Sequence, residues 1–140
     1  MRKTVAILSV CGFILSVSHA VLGAQGKASA GVYTAEQAGR GEAIYKEQCA
    51  ACHGDNLEGS GPMPPLAGKD FLSNWQGKTV GDLFEKTQTS MPATAPGTLT
   101  PEQTAQIMAY MLSTSKYPAG AAPLADKMED LSKISIEAPK

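Results

Sequence analysis

An all-α domain of three to five short helices, folded around an apolar body that the chain does not itself encode, is the architecture this sequence predicts. Three observations carry that expectation. Helix-start signals occur at two well-separated points, and no stretch shows the apolar–polar alternation of a half-buried strand. Bulky side chains are also too few to fill a core: from residue 25 to 140, Leu, Ile, Val and Phe make up sixteen of 116 residues, or 14%, where less than about 20% marks a chain short of core material. With 140 residues and 14.6 kDa there is room for one domain, and a domain of this size should bury roughly two-thirds of its unfolded surface.

The first two dozen residues stand apart. Arg2 and Lys3 make a positively charged start, and Val5 to Val17 is an uncharged run of 13 residues, short for a bilayer span that needs about 20. Small residues at cleavage spacing follow at Ser18-His19-Ala20 and at Leu22-Gly23-Ala24. Residues 1–24 therefore read as a cleaved secretory signal that sends the chain to the periplasm, with Gln25 as the mature start. Cleavage after Ala20 and retention as an anchor are the alternatives. Removal takes away Cys11 and His19 and leaves thirteen acidic against ten basic residues, a net charge of -3. That balance, with no basic stripe, excludes nucleic acid as a partner, and no membrane span remains after cleavage. Residues 25–32 are expected to form a flexible N-terminus.

Thr34-Ala35-Glu36-Gln37 is a capping box, with Tyr33 and Ala38 spaced as a hydrophobic staple, so a helix should begin at Ala35. Ala38, Gly41, Tyr45, Cys49 and Cys52 then recur at helical spacing along one face, and Gly41 would let a second helix approach closely. That face ends in Cys49-Ala50-Ala51-Cys52-His53, which after signal removal holds both cysteines and the single histidine. Cys-x-x-Cys-His is the attachment sequence of a c-type haem: two thiols one helical turn apart add to the porphyrin vinyl groups, and the next residue offers its imidazole to the iron. A thioredoxin-type dithiol would sit in a βαβ pattern, which is not visible, and a zinc site wants four ligands where three N or S donors exist. A disulfide across two residues would close a very small loop. The missing interior is thus expected to be one haem joined through Cys49 and Cys52, with His53 on the iron.

Gly54 to Gly68 is rich in Gly and Pro and long for an unstructured connection in a compact domain, which marks it as functional or disordered. Asp70 to Trp75 reads as a further turn, and Thr79 to about Thr87 as a short helix with Leu83 and Phe84 inward. Thr100-Pro101-Glu102-Gln103 is the second capping box, with Pro at the first helical position, and Ile107, Met108, Met111 and Leu112 line the apolar face of the closing helix. Pro118 to Pro123 holds only Pro, Ala and Gly. Residues 118–140 are expected to form a tail that lies across the domain or reaches for a partner.

From Tyr33 to about Tyr117 these motifs resemble the class I c-type cytochromes, small mono-haem proteins similar to those associated with periplasmic quinoprotein dehydrogenases. The resemblance implies the cytochrome c fold over residues 33–117. Pro64-Pro65-Leu66-Ala67-Gly68 matches the family's Pro-x-Leu-x-Gly segment, which implies that the Pro64 carbonyl bonds the ligand imidazole and that Leu66 lies against the ring. It also suggests that Trp75 donates to a haem propionate, with half-buried packing as the alternative. In the family a Met from a later loop takes the sixth iron position. Met108 and Met111 belong to a helix face, Met63 precedes the segment on the His side, and Met128 falls in a late short helix with Leu124 and Leu131. Met91 stands in the polar loop Gln88-Thr89-Ser90-Met91-Pro92, where a thioether has no other evident use. Met91 is the expected ligand; an open or otherwise filled position is the alternative.

Ligation by His53 and Met91 leaves no vacancy for substrate or dioxygen, and a Met ligand raises the reduction potential. The expected role is one-electron transfer and not catalysis, with a dehydrogenase as donor and an oxidase or another cytochrome as acceptor. Docking is expected through a small, mostly uncharged patch formed by the loops near Met63 and Met91 to Ala95, with the chain acting as a monomer. The alternatives are a cytochrome subunit of a dehydrogenase complex, and a haem sensor or enzyme whose sixth ligand is displaced. Replacing Cys49 and Cys52 together by Ser, so that no haem is attached, should abolish the cooperative thermal transition followed by circular dichroism. A haem-free form that melts cooperatively would contradict the borrowed-interior reading.

Overall fold

The computed structural model describes residues 26–139 of the chain; the expected signal segment, with Cys11 and His19, lies outside them. The elements in order are β1 (Gly26–Lys27), a 3-10 turn (Ala28–Ala30), α1 (Ala35–Gln48), α2 (Ala50–His53), α3 (Gly68–Trp75), α4 (Val80–Ser90), α5 (Pro101–Thr114), α6 (Met128–Leu131) and β2 (Ile134–Ser135). The expected all-α class holds. Among the described residues six helices replace the expected three to five, because α2 and α6 are single turns of four residues.

α1 starts at Ala35 as expected: Thr34 Oγ1 accepts from the Gln37 amide at 3.1 Å, which satisfies one of the unpaired N–H groups of the first turn. The other half of that capping box is not made. The Gln37 side chain is buried and pairs with Leu124 instead, donating to its carbonyl at 2.9 Å and accepting from its N–H at 2.7 Å. Leu124 crosses this end of the helix as a buried residue, and buried backbone groups require partners. α5 begins with the complete box of Thr100 and Gln103 and with Pro101 in its first turn. α4 has an equivalent box of Thr79 and Asp82, whose hydrogen bonds to Thr79 hold the Asp82 carboxyl below its ordinary range.

α1 and α5 cross with their backbones touching. A Cβ on Gly41 would lie 1.8 Å from the Gln106 carbonyl oxygen, so only hydrogen fits at the crossing. Ala38 and Tyr45 of α1 and Ala105, Ile107, Met108, Ala109, Met111 and Leu112 of α5 are buried around it. Each large apolar side chain among them contributes about 1.5–3 kcal/mol by leaving water. Leu83 and Phe84 of α4 join the same core.

Both ends of the described stretch pack onto the domain. Residues 26–32, expected to be flexible, are held: Gly26 and Lys27 pair in parallel with Ile134 and Ser135, Ala28 is fully buried, and Gly31 touches Gly120 so closely that a Cβ on Gly120 would sit 1.8 Å from the Gly31 carbonyl oxygen. A ladder two residues long carries no alternation for a sequence pattern to reveal. Residues beyond 117 pack against the same core. The tail lies across the domain, with Leu124, Leu131 and Ile136 in the core, and Ile136 exchanges backbone bonds with Gly77 and Lys78 at 2.9 and 2.8 Å.

Gly41→Ala should therefore lower the thermal midpoint by more than about 5 °C, since overpacking costs about 1–3 kcal/mol or more. Gly39, two residues earlier on the same helix, has nothing within 4 Å of a built Cβ. Gly39→Ala should hold or raise the midpoint, gaining up to about 1 kcal/mol of helix propensity. Thermal melts of the pair check both signs.

Candidate haem-attachment site

α1 does not run through the Cys-x-x-Cys-His motif. It ends at Gln48, Cys49 turns out of helical geometry at φ -128°, and the chain resumes as α2. The Cys52 and His53 amides both return to the Cys49 carbonyl, at 3.1 and 3.0 Å, which keeps the two thiols one turn apart. The thiols are unpaired and differ in surroundings: Cys49 is half-buried and Cys52 exposed. Burial, and then the neighbouring Cys52, push the Cys49 thiol up to about 11.

His53 is buried at 6% exposure, and its Nδ1 lies 2.9 Å from the Pro64 carbonyl oxygen. A carbonyl only accepts, so Nδ1 carries the proton, and in the neutral ring Nε2 keeps a free lone pair. The Pro64 carbonyl is positioned by the loop that leaves α2. Gly59 N–H bonds the His53 carbonyl at 2.8 Å, and Leu66 N–H bonds the Leu57 carbonyl at 2.9 Å. Leu57 is fully buried although its φ is 60°, a region costly for a branched side chain unless the surroundings enforce it. Tyr45 adds a tie from α1, its hydroxyl donating to the Gly54 carbonyl at 2.6 Å.

Among the described residues no group of three or more His, Cys, Asp or Glu could hold a metal ion. Two free thiols in one Cys-x-x-Cys turn stand beside an imidazole with one nitrogen engaged and the other available, a donor set that fits a c-type haem.

The remaining expected site residues are placed as follows. Leu66 is half-buried and packs against the core. Trp75, at the end of α3, stacks on Phe71 at 6.4 Å between ring centroids, with the Lys78 ammonium 4.7 Å over its face. Together with Asp82 and Lys86, Trp75 and Lys78 line a surface groove of about 490 Å³. Met91 caps the C-terminal end of α4, half-buried, its N–H bonded to the Thr87 carbonyl at 2.9 Å. Met63 closes a tight turn in which Ser60 and Met63 exchange backbone bonds, and is 38% exposed.

Sequence reasoning missed Leu57, Lys78 and Gln88. Nothing marks Leu57 as left-handed, since no glycine occupies it. Lys78 reaches Trp75 because Ile136 holds its backbone, a contact 58 residues away in sequence. The Gln88 amide joins the Leu99 carbonyl to the Thr104 hydroxyl, although in sequence it is one polar residue among several.

A family model described as cytochrome c oxidase, cbb3-type, subunit III matches residues 36–111, a stretch that contains every site residue named above. The chain is 39% identical over 75 residues to cytochrome c-551 of Bacillus subtilis (strain 168), covering 49% of this chain and 66% of that one. It is 36% identical over 81 residues to thiosulfate dehydrogenase of Stutzerimonas stutzeri (strain A1501), covering 53% and 26%. It is 30% identical over 93 residues to cytochrome c of Nigella damascena, covering 51% and 84%. The chain thus spans just under two thirds of the first of these relatives and about a quarter of the second. Its structure is similar to a chain in the crystal structure of the sulfane dehydrogenase SoxCD from Paracoccus pantotrophus, at a TM-score of 0.52 and 26% identity over 70% of this chain and 52% of that chain.

Tyr45→Phe leaves the Gly54 carbonyl with only the longer Leu57 N–H bond at 3.4 Å and should cost on the order of 1 kcal/mol, read as a fall of a few degrees in thermal midpoint. Burial raises the Tyr45 hydroxyl above its ordinary value of 10.0. A raised folded-state value means that the bond's contribution is complete below pH 10 and lost only as pH climbs through that raised value. The gap between wild type and variant should accordingly stay constant from pH 6 to 9 in thermal melts.

Proposed function

The chain belongs to the cytochrome c family, and from that premise we propose that it is an exported one-electron carrier. It is built on one haem joined through Cys49 and Cys52 and held at the iron by His53 and Met91. The observation that carries this reading is the His53 Nδ1 bond to the Pro64 carbonyl beside two unpaired thiols. When bound, the haem supplies a reversible one-electron couple.

The chain's own residues do the rest. Cys49 and Cys52 fix the orientation of the group, while the Pro64 carbonyl keeps the imidazole proton on Nδ1 and so Nε2 free to ligate. Leu66 offers apolar cover on the same side. Met91 would supply its thioether to the iron, which would raise the potential and keep small molecules out. The Trp75 indole N–H and the Lys78 ammonium offer donors to the haem carboxylates.

The proposed organisation follows the same lines. Residues 1–24 are removed on export to the periplasm, residues 33–117 carry the haem, and residues 118–140 complete the same core. No helix among the described residues is long and apolar enough to cross a membrane. Electrons arrive from a dehydrogenase and leave to an oxidase or another cytochrome, by encounters at the exposed turn ending in Met63 and at the exposed residues 93–98. Similarity to part of thiosulfate dehydrogenase and to SoxCD supports a second reading, in which this chain serves as the cytochrome subunit of such a dehydrogenase.

Carbon monoxide titration of the reduced protein tests the ligation. Wild type should resist binding, whereas Met91→Ala should bind at least roughly tenfold more tightly and show a lower reduction potential. Wild type that binds as readily as the variant would refute His/Met ligation and favour a sensor or enzyme with a displaceable ligand.

A further inference from the structure

Met91 follows directly on the last residue of α4, and the backbone from Ala93 to Thr98 is exposed. Within that stretch the bonds are the Ala95 N–H to the Pro92 carbonyl at 2.9 Å and the Thr98 hydroxyl to the Ala95 carbonyl at 2.8 Å. A surface loop with so little internal bonding is of the kind that opens at low cost, and Met91 stands at its start, tied by its own N–H to the Thr87 carbonyl at 2.9 Å.

One side chain closes this loop. Gln88, three residues before Met91, donates its amide N–H to the Leu99 carbonyl at 2.5 Å and accepts at Oε1 from the Thr104 hydroxyl at 2.9 Å. Leu99 is 5% exposed and Thr104 fully buried. The Thr104 hydroxyl also faces the Thr100 carbonyl at 3.1 Å. The last turn of α4, the far end of the loop and the first turns of α5 therefore meet at one amide. Because a carbonyl only accepts and the hydroxyl here donates, both ends of the amide are specified, and an apolar side chain of the same length serves neither.

We propose that Gln88 is the positioning residue for Met91: by tying both ends of the segment 88–99 it holds the thioether in its ligating place and so keeps the sixth position closed. This rests on the assignment of Met91 as ligand. Loss of the amide raises the fraction of molecules with Met91 withdrawn, and the apparent affinity of an added ligand rises in proportion to that fraction.

Gln37 supplies a matched control, since its buried amide also makes two hydrogen bonds, both to the Leu124 backbone and away from the Met91 loop. Full-length haem protein carrying Gln88→Met, Gln37→Met, Thr104→Val or Met91→Ala is compared with wild type by thermal midpoint, carbon monoxide affinity of the reduced form, and reduction potential. Both Gln variants should lose a similar amount of thermal midpoint. Of these two, only Gln88→Met should gain carbon monoxide affinity, by at least roughly tenfold, with a lowered potential; Thr104→Val, which keeps the Leu99 bond, should show a smaller gain. Equal carbon monoxide affinity for Gln88→Met and Gln37→Met, with Met91→Ala open and wild type closed, would overturn the role of Gln88 alone. Wild type as open as Met91→Ala would overturn the ligand assignment and this inference with it. Should Gln88→Met fail to fold, Thr104→Val decides, and no gain over Gln37→Met overturns the proposal.

Discussion

Backbone contact between α1 and α5 at Gly41 and Gln106 is the constraint from which the rest of the structure follows. It sets the two longest helices close enough for Ala38, Ala105 and Ala109 to count as core residues, so that a chain poor in Leu, Ile, Val and Phe still buries apolar surface. Tyr33, Tyr45 and Tyr117 add bulk where aliphatic residues are lacking, and each sends its hydroxyl to a backbone carbonyl, as a buried phenol must. With α1 fixed in this way, its C-terminal end delivers Cys49, Cys52 and His53 to one place.

The two residues proposed to hold the iron are themselves held by different means. On the His53 side the acceptor is a main-chain carbonyl, and it is placed by further main-chain bonds at Gly59 and Leu66, so side-chain substitutions there act indirectly. On the Met91 side the loop is exposed, and its closure falls to the Gln88 amide. The asymmetry gives the proposed Met end the lower local stability, which is where an electron carrier and a ligand-binding protein built on the same scaffold would diverge.

How much of this was legible in the sequence depended on range. Signals that act within four residues came through: the Thr34 and Thr100 caps, the buried face of α5, and the Cys-x-x-Cys-His motif at the end of α1. Signals that depend on distant partners did not. The Thr34 box looks complete in sequence because nothing local reveals that Leu124 claims the Gln37 side chain. Residues 26–32 read as flexible because their partners, Ile134, Ser135 and Gly120, lie about a hundred residues away. Cys49 looked like one more helical position, yet the helix breaks there. Of the proposed site, the His53 and Pro64 pair was visible through a motif, while Gln88, Lys78 and Leu57 gain their roles from tertiary contacts alone.

The proposed function requires that a porphyrin attached through Cys49 and Cys52 complete the interior that these side chains begin. Intact mass of the exported protein, combined with a reduced pyridine haemochrome spectrum, tests that most directly. The account predicts one haem per chain with both Cys49 and Cys52 consumed as thioethers. A colourless product that is compact and retains two titratable thiols would contradict it.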